Sequence, residues 1–269
     1  SAASDVYKRQ CPLAQGFYDR LAAAREAAVR ASSLDQQSLR TIALAHQVCP
    51  YYLSQDLVRW SDVVVGDYNY YFDTSAMLYG LTVENDWRTA VLVDEAHNMV
   101  ERARKMYSAE LTQSSFRVAR KSAPKSLRTV LDRVNRLWND LYRDQETEYA
   151  VYHAIAEKFL FALQQAGTDI TDLMTDEPDS VSPELQRFYF DAMQFSKLAE
   201  VFGEHSMFDI TRSMSLASKP QATLCIRNIV PAPFLKQRFT TAHTVTLFSA
   251  TLGPHHFYAD MLGLSLIHI

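Results

Sequence analysis

With 269 residues, 48% of them hydrophobic, the chain can bury one large core or two smaller ones. Its net charge of −4 excludes a globally basic surface, so any nucleic-acid binding must come from a local patch. It has no apolar run of about 18 residues and no signal peptide, and its three cysteines (Cys11, Cys49, Cys225) are odd in number and far apart; a soluble, cytoplasmic chain without membrane contact is expected, not a disulfide framework.

In chain order, the end "SAASDVYKRQ" (1–10) and the end "SLIHI" (265–269) have no place in the element pattern and are expected to be non-native. "LDQQSLRTIALAHQV" (34–48) predicts a helix, and "DVVVGDYNYYF" (62–72) a strand, because Val63, Val64 and Val65 form a short apolar run of the kind covered on both faces. "AVLVDEAH" (90–97) reads the same way.

From about Asn98 to Ser218 the pattern turns helical. "KSLRTVLDRVNRLWNDLYRD" (125–144) carries apolar residues at i, i+3, i+4 spacing. "YAVYHAIAEKFLFALQQAG" (149–167) predicts a second helix ended by Gly167, and the acidic "TDITDLMTDEPD" (168–179) a linker. A third helix starts at a Ser182 cap with Pro183 in its first turn and stops near Gly203. Strands resume at "ATLCIRNIVPA" (222–232) and "TVTLFSATLGP" (244–254). The order strand, helical insertion, strand predicts an α/β fold, since parallel strands buried on both faces belong to that class. Cys225, inside a strand, reads as a core thiol.

Charge is uneven. Arg102 to Arg136 holds ten basic residues against Glu110 and Asp132, net +8, leaving −12 on the remainder. Such a band could guide single-stranded DNA or be a solvated helix face. Arg117, Arg120 and Lys121, grouped around a predicted turn, are its candidate contacts.

Asp94 and Glu95 fall where an apolar strand ends, and open α/β sheets bind ligands beyond the carboxyl ends of their strands. A carboxylate there can hold Mg²⁺ while a nucleotide supplies further oxygens; a second can orient or deprotonate the water that attacks a γ-phosphate. His97 can report the state of the site by hydrogen bonding. A bare acidic pair could equally be two solvated residues at a helix N-terminus. "FSATLGP" (248–254) places Ser249, Ala250 and Thr251 at a second strand end.

The Asp-Glu-Ala-His run after a hydrophobic strand resembles the Walker B motif of a helicase. "CPLAQGFYDRL" (11–21), "CPYYLSQDLVRWSDVVVGDYNYYFD" (49–73), the DEAH run, a helical insertion and "SATLGP" come in the order seen in the XPD/DinG family of iron–sulfur DNA helicases, a superfamily-two group. The resemblance spans nearly all of Cys11 to Leu264. It implies a partial RecA-like parallel-sheet motor domain with a partial iron–sulfur insertion and a large all-helical arch insertion, divided as 11–60 (iron–sulfur domain), 61–100 (motor domain), 101–218 (arch) and 219–264 (motor domain continued).

It further implies ATP-driven 5′ to 3′ movement on single-stranded DNA, with ATP, Mg²⁺ and a 4Fe–4S cluster as cofactors. Asp94 would hold Mg²⁺, Glu95 position the attacking water, and His97 with Ser249, Ala250 and Thr251 couple hydrolysis to DNA. Cys11 and Cys49 would be two of four cluster ligands, and Tyr51 an aromatic on the DNA path. Gln55 departs from the family, where an Arg is common, and weakens one phosphate contact. No Gly-x-x-x-x-Gly-Lys-Ser/Thr occurs in the sequence. The phosphate loop and two more cysteines are expected before Cys11, a second motor domain after Leu264, and no activity from this chain alone. Two other readings stay open: a non-catalytic single-stranded nucleic-acid-binding module, and a helical interaction scaffold.

Overall fold

A computed structural model describes residues 11–13, 15–31, 34–214 and 220–264. The expected non-native ends, 1–10 and 265–269, and residues 215–219 lie outside the described residues. The chain divides into two compact units, 1–66 and 67–269.

The first unit contains α1 (Phe17–Val29), α2 (Gln36–Ala45) and α3 (Pro50–Leu57). The Asp35 carboxylate caps α2 by accepting from the Ser38 amide at 2.7 Å, and Pro50 starts α3, where its missing N–H costs nothing. The core is small: Leu21, Ala24, Ala28, Ala43, Val48, Leu53 and Leu57. A forked ion pair joins α1 to α3, Arg25 donating to both oxygens of Asp56 at 2.7 and 3.0 Å.

The expected strand over 62–72 does not form. Val63 and Val65 are 80% and 94% exposed, and residues 69–72 are a single helical turn, α4 (Asn69–Phe72). A strand needs a hydrogen-bonding neighbour, and among the described residues none pairs with Val63–Val65. An apolar run of three carries no period that distinguishes a strand from an unpaired segment.

In the second unit α4 is followed by α5 (Met77–Glu84), β1 (Ala90–Val93), α6 (Met99–Met106), β2 (Ala109–Thr112), α7 (Gln113–Ser122), α8 (Arg128–Asp144), β3 (Tyr149–Tyr152), α9 (Glu157–Asp176), α10 (Pro183–Glu200), β4 (Ser206–Met214), β5 (Pro220–Asn228), α11 (Ala232–Thr241), β6 (Thr244–Leu247) and α12 (His255–Leu262). β1 and β6 pair in parallel, Ala90 opposite Thr244 and Val93 opposite Leu247. The two-face burial expected of β1 is not met: Val93 is buried and Leu92 is 70% exposed, because β6 is the one strand hydrogen-bonded to it among the described residues.

The insertion is not all-helical. An antiparallel sheet in the order β2-β5-β4-β3 runs through it. β4 buries Phe208 and Ile210 and exposes Met207 and Thr211, while Asp209 between the two apolar residues is buried on its pair with Arg227 at 2.9 Å. β5, expected with the motor strands, pairs antiparallel to β4 and β2 instead, with Thr112 opposite Thr223 and Ala109 opposite Ile226. Helices α7, α8 and α10 pack on this sheet and α9 packs on α8 and α10. Phe116 stacks on Trp138 (5.3 Å between ring centroids), which meets Phe159 edge-on at 5.2 Å; the Trp138 indole N–H is satisfied by the Ala222 carbonyl at 3.1 Å.

The segment 149–167 is not one helix. Residues 149–152 form β3, and α9 runs from Glu157 through Gly167 to Asp176, so most of the expected acidic linker is helical. Apolar spacing carries on past the glycine in Ile170 and Leu173, and that packing overrides the low helix propensity of Gly. Ser182 caps α10 as expected, accepting from the Leu185 amide at 3.1 Å. Among the described residues no helix is long and apolar enough to cross a membrane.

Candidate active site

The backbone bonding of the parallel pair continues beyond its strands: the Phe248 amide donates to the Val93 carbonyl and the Ala96 amide to the Phe248 carbonyl, each at 3.0 Å. This brings the Asp94–His97 turn against the turn that begins at Ser249. Within the first turn Glu95 takes a left-handed backbone, φ 49 and ψ 43, a conformation costly for a side chain with a Cβ. The Asp94 carboxylate steadies it by accepting from the Glu95 amide at 2.7 Å.

Three side chains converge. His97 Nδ1 lies 2.7 Å from Ser249 Oγ and 3.1 Å from Glu95 Oε2, and Ser249 Oγ lies 3.4 Å from the same carboxylate oxygen. Ser249 Oγ also accepts from the Thr251 amide at 3.3 Å. Thr251 joins through its backbone, and Ala250 is the link between the two. Asp94 and Glu95 stay exposed. One Asp94 oxygen is taken by the Glu95 amide, leaving the other to accept. Two exposed carboxylates suit a hard cation that keeps much of its water, so Mg²⁺ fits this donor set. An open hollow of ≈ 660 Å³ flanks Ser249, Thr251 and Gly253.

Sequence reasoning missed the support behind the acidic turn. The Tyr68 hydroxyl faces the carbonyl oxygens of both Asp94 and Glu95, the latter at 3.0 Å. The Arg102 guanidinium lies over the Tyr68 ring at 4.9 Å and pairs with Asp67 at 2.5 Å. The Asn69 amide, then Arg102, holds the Asp67 carboxyl below its usual range, while burial pushes the Tyr68 phenol up. The available signal was the polar–aromatic "GDYNY" after the valine run, here read as strand.

The DNA candidates fall in both units. Tyr51, on α3 in the first unit, is 54% exposed and meets Tyr52 edge-on at 5.4 Å; Tyr52 meets Phe17, and Phe17 meets Tyr18, in the same manner. Arg117, Arg120 and Lys121 lie on helix α7, not around a turn, because Phe116 and Ala119 are buried at i, i+3 spacing. Arg117 donates to the Pro220 carbonyl at 2.7 Å and Arg120 pairs with Asp132 at 2.5 Å; Lys121 is exposed. Arg104 is likewise engaged, with Glu101 and the Ile229 carbonyl. Several charges of the basic band therefore already have partners within the chain.

Cys11 is exposed, Cys49 half-buried and Cys225 buried. Burial, the largest cause, pushes the Cys225 thiol up to about 11, as expected of a core thiol. A 4Fe–4S cluster takes four thiolates. Among the described residues no three His, Cys, Asp or Glu side chains gather as metal ligands, so the residues present do not make a complete cluster site.

Residues 1–116 match the family model described as DEAD_2, a match beginning within the stretch expected to be non-native. The chain is 32% identical over 130 residues to the regulator of telomere elongation helicase 1 homolog of Anopheles gambiae, covering 47% of this chain and 12% of that protein. It is 26% identical over 102 residues to the ATP-dependent DNA helicase CHL1 of Candida albicans, covering 38% of this chain and 12% of the relative. In fold it is similar to a solved XPD helicase (TM-score 0.54, 19% identity, 85% of this chain, 39% of that one) and to a truncated XPD (TM-score 0.51, 15% identity, 85% and 63%). These matches support a likeness to helicases of the XPD/DinG type. It spans about an eighth of these two curated relatives. As in the XPD fold, the structure is a mostly helical α/β arrangement with a parallel sheet, and the XPD/DinG-type segments quoted above fall on α1, α3, the Asp94–His97 turn and the Ser249–Thr251 turn.

Proposed function

We propose that this chain supplies part of the ATP-hydrolysing motor of a DNA helicase that moves 5′ to 3′ on single-stranded DNA in repair or replication. One observation carries the reading: His97, Glu95 and Ser249 form a contact triangle although Ser249 lies 152 residues beyond His97. Exposed acids alone would support only two solvated residues. An imidazole joining one of them to a hydroxyl on the neighbouring strand end is what transmission of a nucleotide state requires.

The roles divide by chemistry. Asp94 would hold Mg²⁺, which when bound neutralises charge on the phosphate oxygens. Glu95 orients the attacking water and accepts its proton. His97 senses the Glu95 carboxylate and passes the change to Ser249, whose loop carries Thr251. Tyr51 stacks on a base, worth about 1–3 kcal/mol without sequence preference, and exposed Lys121 contributes charge. Arg117 and Arg120 reach a phosphate only by exchanging their present partners. Cys11 and Cys49 are offered as two of the four cluster ligands, and no step above depends on a cluster. Because the sequence lacks a phosphate-binding loop, the isolated chain should hydrolyse no ATP.

In the full-length protein Glu95→Gln should keep ATP binding and lower hydrolysis by about 10²–10⁴-fold, the usual worth of a positioned base. Undiminished turnover removes Glu95 from that role. An iron assay on this chain should find no stoichiometric iron.

A further inference from the structure

Behind the acidic turn sits a group that the division of roles above leaves unused. Glu95 holds a left-handed backbone with a bulky side chain, and such a conformation persists only where its surroundings over-determine it. Two supports are internal to the turn: the Asp94 carboxylate on the Glu95 amide at 2.7 Å, and the Asn98 amide on the Glu95 carbonyl at 2.9 Å. The third comes from a different element. Tyr68 precedes α4, and its one hydroxyl proton is shared between the carbonyls of Asp94 and Glu95, the two peptide units whose orientation sets where both carboxylates point. Its ring is held by the Arg102 guanidinium at 4.9 Å, which is fixed by Asp67 at 2.5 Å. Arg102 belongs to α6, the helix that follows the turn, so the clamp closes on both sides of it.

We propose that Tyr68 is a positioning residue for hydrolysis: it fixes the backbone of the Asp94–Glu95 turn so that the Glu95 carboxylate is aimed when nucleotide arrives, with Arg102 and Asp67 locking its ring. The proposal rests on the motor reading above. Tyr68 touches neither substrate nor metal in this role; it acts through the two peptide carbonyls. The loss should therefore fall on kcat, with binding spared, because nothing Tyr68 contacts holds the nucleotide.

The variant Tyr68→Phe removes only the hydroxyl. In this chain, amide hydrogen exchange at Ala96 and Asn98 should quicken by about tenfold while β4 and β5 are unchanged, as expected from losing one hydrogen bond at the turn. In the full-length protein kcat for ATP should fall by about tenfold with KM for ATP within about twofold. Arg102→Met should produce a smaller fall in kcat of the same kind. Unchanged exchange at the turn, unchanged kcat, or a rise in KM with kcat intact each overturns the proposal. If the wild-type full-length protein hydrolyses no ATP, the motor reading fails instead, and the exchange experiment still decides whether Tyr68 holds the turn.

Discussion

Among the described residues the smaller unit fully buries no aromatic ring, whereas the larger unit buries several. In the unit that ends at Gly66 the fully buried positions are Ala24, Ala28, Ala43, Val48 and Leu53, while Tyr18, Tyr51, Tyr52 and Trp60 stand largely exposed. In the larger unit Trp138, Phe116 and Phe195 are fully buried between helices and sheet. Rings buried in this way supply most of the packing energy that a mixed sheet–helix layer needs. Alanines contribute little burial each and permit close helix approach, and the Arg25–Asp56 pair joins two of the helices that do so. The contrast separates rings that hold structure from rings free to stack on a ligand.

Substitution of one ring from each set would test that separation most severely. Trp138→Ala should destabilise the larger unit by about 3–5 kcal/mol, since it opens a cavity and orphans the Ala222 carbonyl; Tyr51→Ala should change stability by less than about 0.5 kcal/mol. Denaturant titration followed by a probe in each unit reads both. A comparable loss at Tyr51 would make that ring a packing element. Next in size is the ion pair: Asp56→Ala should cost the small unit about 1–2 kcal/mol, a partly exposed charged pair losing one partner. Melting of the two units by hydrogen exchange should then diverge further.

A smaller effect follows from the thiols. At pH 8 iodoacetamide should label exposed Cys11 first, Cys49 more slowly and Cys225 only on unfolding. With burial holding the native Cys225 thiol up at about 11, the native state keeps a proton that the unfolded chain loses, and stability should fall as pH rises from about 9 to about 11; Cys225→Ala should flatten the slope there. The smallest effect belongs to Gly167. A Cβ built there meets only Met193 Sδ, at 3.6 Å and in ordinary contact, so Gly167→Ala should raise the melting temperature slightly, by up to about 1 kcal/mol of helix propensity. A loss would mean that α9 and α10 approach more closely than this contact allows.

These residues also show what could be read before the fold was in view. The two strand ends were legible because the full Asp-Glu-Ala-His run and the Ser-Ala-Thr turn each follow an apolar run and come in the order that the resemblance predicts. Ser182 was legible because a capping serine followed by proline acts locally. Val63–Val65 was not, since a strand is defined by a neighbour and a three-residue run names none. Gly167 misled because propensity is local and the packing of Ile170 and Leu173 is not. Nor could charge counting foresee that Arg117 and Arg120 would find a carbonyl and a carboxylate at home, or that Tyr68 would reach residues 26 and 27 positions away.

The pairing of β2 with β5 has a consequence for how such a chain can vary. Thr112 and Thr223 stand opposite one another, so everything between them departs from and returns to a single doorway. A detour of that kind can lengthen, shorten or be exchanged for another while the ends stay stapled, because loop closure grows only logarithmically with the residues enclosed. The strand ends that carry the acids and the serine would feel such a graft through this two-stranded stem and through His205, which meets the Phe234 ring and whose carbonyl accepts from the Ile229 amide.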